Sequence, residues 1–135
     1  MEILISFNFE DVHLAEALQA SLFMLDPDRQ IVLSPASYGA VMFKQNIASG
    51  VYEADALVLL VGPKGISRWQ KTELEIALQR QSEESNFPLV PLLAGNAQVP
   101  GILIPYDLKW MKLPVVTDRK MLRLLLDEIR HLAGD

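Results

Sequence analysis

The stretch Ala56-Leu57-Val58-Leu59-Leu60-Val61, followed at once by Gly62-Pro63-Lys64-Gly65, decides the fold. Six apolar residues in a row, some β-branched and with no polar alternation, fit a strand covered on both faces, as in a parallel sheet flanked by helices. The Gly/Pro-rich tetrapeptide ends that strand. On both sides of it the apolar period keeps switching between strand and helix. Upstream, Ile3 to Phe7 is a short β-rich run, and Asp11 offers an N-cap. Leu14, Ala15, Leu18, Leu22 and Leu25 then recur at helical spacing until Asp26-Pro27-Asp28 breaks the pattern. Gln30 to Leu33 reads as a second strand, Ser34 to Gly39 as a loop, and Val41 to Glu53 as a helix burying Phe43, Ile47 and Val51. Downstream, a helix is expected over Trp69 to Gln81 with Leu74, Ala77 and Leu78 buried, and a strand over Leu89 to Leu93. Ala94 to Leu108 looks irregular, Lys109 to Leu113 reads as a short edge strand, and Asp118 caps a last helix ending near Leu132. Five strands alternating with helices predict an α/β fold: a three-layer, flavodoxin-like sandwich with a five-stranded parallel sheet and right-handed crossovers.

Composition narrows the function. The 135 residues make about one domain, long enough to bury a core without a staple. There is no cysteine, so no disulfide framework, thiolate nucleophile or zinc–thiolate site can form. His13 and His131 lie too far apart to look like a ligand pair, and no metal is expected. Seventeen acids against 12 bases argue against a general nucleic-acid binder. The six-residue apolar run is far short of a membrane span, and no signal peptide is apparent, so a cytoplasmic location is expected. No internal repeat stands out, and the last helix runs almost to Asp135, the pattern of one domain cut from a longer chain.

In a doubly wound sheet, ligands bind where loops leave the carboxyl ends of the strands. Three segments meet there: Phe7 to Asp11, Ser34 to Phe43 and Gly62 to Glu73. A phosphoacceptor Asp after the central strand, as a receiver domain needs, is missing, since Gly62-Pro63 stands there. The loop Gly62 to Ser67 has the context of a phosphate cradle but neither P-loop nor G-x-G-x-x-G spacing, and a tight strand-to-helix turn is the better explanation. Serine hydrolysis has no G-x-S-x-G and no paired His. What remains is Ser67-Arg68-Trp69-Gln70-Lys71-Thr72-Glu73-Leu74, in which Trp69 and Glu73 share a helix face. A carboxylate beside a large aromatic near the crevice is one reading of this pair; a solvated acid and a core anchor give the same spacing.

These residues resemble the Toll/interleukin-1 receptor (TIR) domain over nearly the whole chain. Ile3-Leu4-Ile5-Ser6-Phe7-Asn8 with Glu10-Asp11 resembles the family's opening I-S-Y-S strand followed by an acid. Gly39, Phe43 and Ile47 resemble its G-x-x-[WF]-x-x-x-I, with a small difference in loop length. Leu57 to Pro63 resembles V-V-L-V-S-P, Ser67-x-Trp69-x-x-x-Glu73-Leu74 resembles S-x-W-C-x-x-E-L, and Leu89-Val90-Pro91-Leu92 resembles I-P-V-L. Gly62 stands for the usual Ser, Gln70 for the Cys and Asn8 for Ser or Arg, and Ser34 to Gly39 lacks the R-D-x-x-P-G of animal adaptors, which points to a bacterial-type member.

The resemblance implies NAD+ cleavage between nicotinamide and ribose, often in antiphage defence, with Glu73 catalytic and Phe7, Asn8, Phe43 and Trp69 in the substrate pocket. It implies NAD+ as substrate with no other cofactor, self-assembly through TIR–TIR contacts at Ser37, Tyr38 and Gly39, and companion domains or an upstream activator. A non-catalytic TIR–TIR interaction module is the alternative. A more distant one is another N-glycosidic-bond enzyme of deoxyribosyltransferase-like layout.

Overall fold

The computed structural model describes residues 1–39 and 44–134. Its five strands are β1 (Glu2–Ser6), β2 (Gln30–Leu33), β3 (Ala56–Val61), β4 (Leu89–Ala94) and β5 (Met111–Leu113). They form one parallel sheet in the order β2-β1-β3-β4-β5. The expected α/β sandwich is therefore the observed architecture. Among the described residues four α-helices cover the sheet: α1 (Val12–Leu25), α2 (Lys44–Glu53), α3 (Arg68–Glu83) and α4 (Arg119–Leu132). β3 is buried along its whole length, as the unbroken apolar run requires.

Strand alternation sorts the core into two halves. Ile3, Ile5 and Phe7 point with Val58, Leu60 and Leu92 towards α1 and α4. Leu4 points with Leu57, Leu59 and Leu93 towards α2 and α3. Strand order reverses at β1, so the chain winds first to one side of it and then to the other, which is why α1 and α3 lie on opposite faces.

The helix ends show what the sequence specified locally. Asp118 caps α4, its carboxylate accepting from the N–H groups of Lys120 and Met121. Asp11 occupies the N-cap position of α1 but its side chain makes no capping bond there; it is used elsewhere. Asn8 instead caps a short 3-10 turn over Phe9–Asp11. α3 starts one residue earlier than the apolar spacing predicts because Ser67 and Gln70 form a reciprocal capping box. The irregular stretch before β5 contains a 3-10 turn over Gly101–Tyr106 that buries Leu103.

β5 pairs with β4 only from Leu92 to Ala94. Leu57 N–H donates to Pro88 O on the β3 side, and Gly95 N–H to Leu113 O on the β5 side, so alternation aims the backbone of Pro91 at β5. Pro91 has no N–H to give. Residues 107–110 diverge from β4 before that point and leave a groove of about 520 Å³, lined among others by Leu89, Pro91, Tyr106, Trp110 and Leu132.

Candidate functional site

The three connecting segments do meet at the carboxyl ends of the strands, but the first and third are tied together by protein atoms. Asn8 Nδ2 donates to Lys64 O at 3.2 Å, and Lys64 N–H donates to the Asp11 carboxylate at 3.1 Å. Burial pushes the Asp11 carboxyl above its ordinary range, partly offset by that bond and by the Lys64 charge. Gly62 is required here: a Cβ would come within 2.7 Å of Asp11 Cγ. The glycine at the place where the TIR pattern has serine is thus matched to the acid that packs on it.

At the strand-order reversal, where doubly wound folds open their crevice, the gap between β1 and β3 is filled by Gln70. Its fully buried Nε2 donates to Ser6 O at 3.2 Å and Leu60 O at 2.8 Å, while its Oε1 accepts from Ser67 N–H. One side chain satisfies two strand-end carbonyls and one helix-start amide. Sequence reading missed this role; the S-x-x-Q spacing at 67–70 was the available signal.

Glu73 lies one turn of α3 beyond Gln70's end and is 2% exposed. Its Oε2 accepts a 2.6 Å hydrogen bond from Ser34 Oγ. Among the described residues its Oε1 has no partner, nor has the buried hydroxyl of Ser6. Burial pushes the Glu73 carboxyl up to about 7, with Ser34 and then Ser6 pulling in the opposite direction. Ser6 is therefore near enough to favour the charged form without making a bond of its own to Oε1. A carboxyl divided between its two protonation states near neutral pH is suited to acid–base or electrostatic work.

Glu73 borders a hollow of about 60 Å³, lined also by Leu4, Ser34, Pro35, Ala36, Asn46, Ile47 and Gly50. The second segment and α2 thus line it with Leu4 and Glu73, while the first segment does not reach it. Its size admits a few water-sized groups, such as the edge of a sugar. Of the other expected site residues, Phe7 is fully buried on the opposite face of the sheet. Asn8 is spent on the turn it caps and on Lys64. Trp69 is half-buried against the α2/α3 core, with the Arg68 guanidinium 4.5 Å from its ring, and does not line the hollow. Phe43 lies outside the described residues.

The second segment forms a 3-10 turn over Pro35–Tyr38 and is pinned at both ends. Ser34 N–H donates to Ile5 O, and Ser37 Oγ accepts from Phe7 N–H at 3.0 Å. Gly39 ends the turn with φ +73°, a left-handed conformation suited to glycine. Tyr38 is 44% exposed and meets Phe7 and Phe9 edge-on, at ring distances of 5.3 and 5.8 Å; Phe9 is 55% exposed. Among the described residues no three His, Asp or Glu side chains converge as metal ligands, and no helix is long and apolar enough to cross a membrane.

The family described as TIR domain matches residues 3–126. Comparison with curated proteins gives no match. Among solved structures, the chain is similar to the Francisella novicida lysine decarboxylase LdcF, with TM-score 0.58 and 8% identity over 99% of this chain and 18% of that one. It also aligns with the flavodoxin-like domain of a Synechococcus protein, with TM-score 0.45 and 14% identity over 98% and 96% of the two chains. The decarboxylase likeness concerns the fold alone, and the chain spans about a fifth of that protein's length.

Proposed function

This chain belongs to the TIR domain family, and from that premise we propose that it cleaves NAD+ at the bond between nicotinamide and ribose, with Glu73 as the catalytic carboxylate. The observation that carries the reading is the buried Glu73 with one oxygen unpartnered beside a hollow. An unpaired buried carboxylate oxygen is costly in a fold that gains nothing else from it, and a reacting sugar would give it a purpose.

The chemistry asks for little more. The bond from ribose C1′ to the ring nitrogen breaks with its electron pair going to nicotinamide, which departs neutral. Positive charge grows on the ribose as an oxocarbenium-like centre, which an ionised Glu73 stabilises. Water then adds to C1′ and loses a proton, giving ADP-ribose; attack by an atom of the adenine ring instead gives a cyclic product. No cofactor is needed, because NAD+ is the substrate. The working form of Glu73 is the ionised one, so turnover rises with pH through about 7. A hollow of about 60 Å³ is too small for a nucleotide, so the segment 34–38 or α2 yields on binding in this reading, consistent with activity that depends on assembly.

The test is to incubate concentrated protein with NAD+ and follow free nicotinamide. Wild type is expected to release it, and Glu73→Gln to lower the rate by about 100-fold or more. Turnover that survives the substitution unchanged refutes the assignment.

A second reading, a TIR–TIR interaction module, is favoured by the exposed Tyr38–Phe9 pair at the segment expected to make assembly contacts. The two readings are compatible. An antiphage signalling role and an upstream activator belong to the proposal with them.

A further inference from the structure

We propose that Ser34 is a positioning residue for Glu73: its hydroxyl holds one carboxylate oxygen so that the other faces the hollow between residues 34–36 and α2. The inference rests on the catalytic reading of Glu73 and deepens it.

Ser34 stands 39 residues from Glu73 in the chain, and nothing in the local sequence links them. The fold brings them together, because the turn that follows β2 packs against α3. The backbone of Ser34 is fixed by its N–H bond to Ile5 O, at 2.9 Å. Its side chain is 1% exposed, so water does not compete for the hydroxyl. A serine has a single proton to donate, and here it goes to Oε2 at 2.6 Å. That leaves the carboxylate little freedom to turn about its last torsion, which is otherwise broad for glutamate. Oε1 is thereby kept in place without a ligand of its own.

Among the described residues, β1 presents Leu4 and Ser6 to this site, the second segment Pro35 and Ala36, and α2 Asn46, Ile47 and Gly50, none of which titrates. Asp11 and Lys64 serve the first and third segments and do not shift Glu73. The charge on Glu73 is thus set by burial against two hydroxyls, of which Ser34 is the stronger. Removing that hydroxyl takes away both the orientation and the main force favouring ionisation.

The experiment compares wild type, Ser34→Ala and Ser34→Thr in the full chain, following kcat and KM for NAD+ across about pH 5.5 to 9 and, separately, the titration of the Glu73 carboxyl by carbon-13 NMR. Ser34→Ala is expected to move the Glu73 midpoint upward from about 7 and to lower kcat at neutral pH about tenfold, with KM changed less than about twofold. Ser34→Thr, which keeps the hydroxyl, is expected to restore both. A midpoint and pH limb that stay put in Ser34→Ala overturn the inference. If wild type itself releases no nicotinamide, the NMR titration still decides: a midpoint that moves in Ser34→Ala and returns in Ser34→Thr upholds Ser34's hold on Glu73 independently of the NAD+ reading. Should Ser34→Ala fail to fold, Ser34→Cys, a near-isostere with a weaker donor, carries the same expectation.

Discussion

On the α1/α4 side of the sheet, strands and helices meet through apolar side chains from Ile3 to Ile129. On the α2/α3 side, Ser34, Gln70 and Glu73 are buried close to Leu4, Leu57, Leu59 and Leu74. The same five strands therefore support two kinds of interior. One gains only from excluding water, and its contribution changes little with pH. The other holds an acid whose charge is disfavoured by burial and accepted through hydroxyl donors. A single fold can afford this because the first face supplies stability that the second partly gives back in return for a reactive group.

The largest effect that would sharpen this contrast comes from the apolar face. Leu22→Ala, at a fully buried position of α1, is expected to cost about 2–5 kcal/mol in urea unfolding, by the same amount at pH 5 and pH 8. A pH-dependent cost there would break the division between the faces.

The polar face is expected to show the opposite behaviour. Because burial raises the Glu73 carboxyl from 4.5 to about 7 on folding, the native state holds its proton more tightly than the unfolded chain. The stabilisation is complete below about pH 4.5 and fades as pH rises through 7, amounting to roughly 3 kcal/mol in all. Glu73→Gln should remove this slope and leave the rest of the pH profile of unfolding intact. A slope that persists in Glu73→Gln would assign it to another group.

A smaller effect tests the closed end of the sheet. Gly62→Ser drives a Cβ into the Asp11 carboxylate and is expected to cost about 1–3 kcal/mol in chemical denaturation. Adding Asp11→Ala makes room, so the double variant should be destabilised by less than the sum of the two single changes. Strict additivity would show that the contact between the first and third segments is not what fixes Gly62.

Most of the fold was legible because it depends on patterns that lie within a few residues of one another. The apolar run at 56–61, the breaks at 26–28 and 62–65 and the cap at Asp118 are all local, and each appears where expected. The site was legible only in part. The helical spacing of Trp69 and Glu73 singled out an acid that the structure buries, yet the partner of that acid, Ser34, is distant in sequence and is found only through the fold. Alternation says that Ser6 and Phe7 face opposite sides of β1, but which side meets α3 depends on how β1 pairs with β3. The same gap explains Asn8 and Asp11, whose side chains also bond to Lys64, 56 and 53 residues away.

Pro91 carries a consequence for how the molecule behaves in a crowd. The upstream half of β4 is left without a neighbour on one side, and such an unpaired border is where strands of separate molecules tend to join into growing stacks. A residue that lacks an amide hydrogen at that border offers an incoming strand no donor at its central position, so the splayed half of β4 resists being extended by a stranger's backbone while the groove beside it stays open.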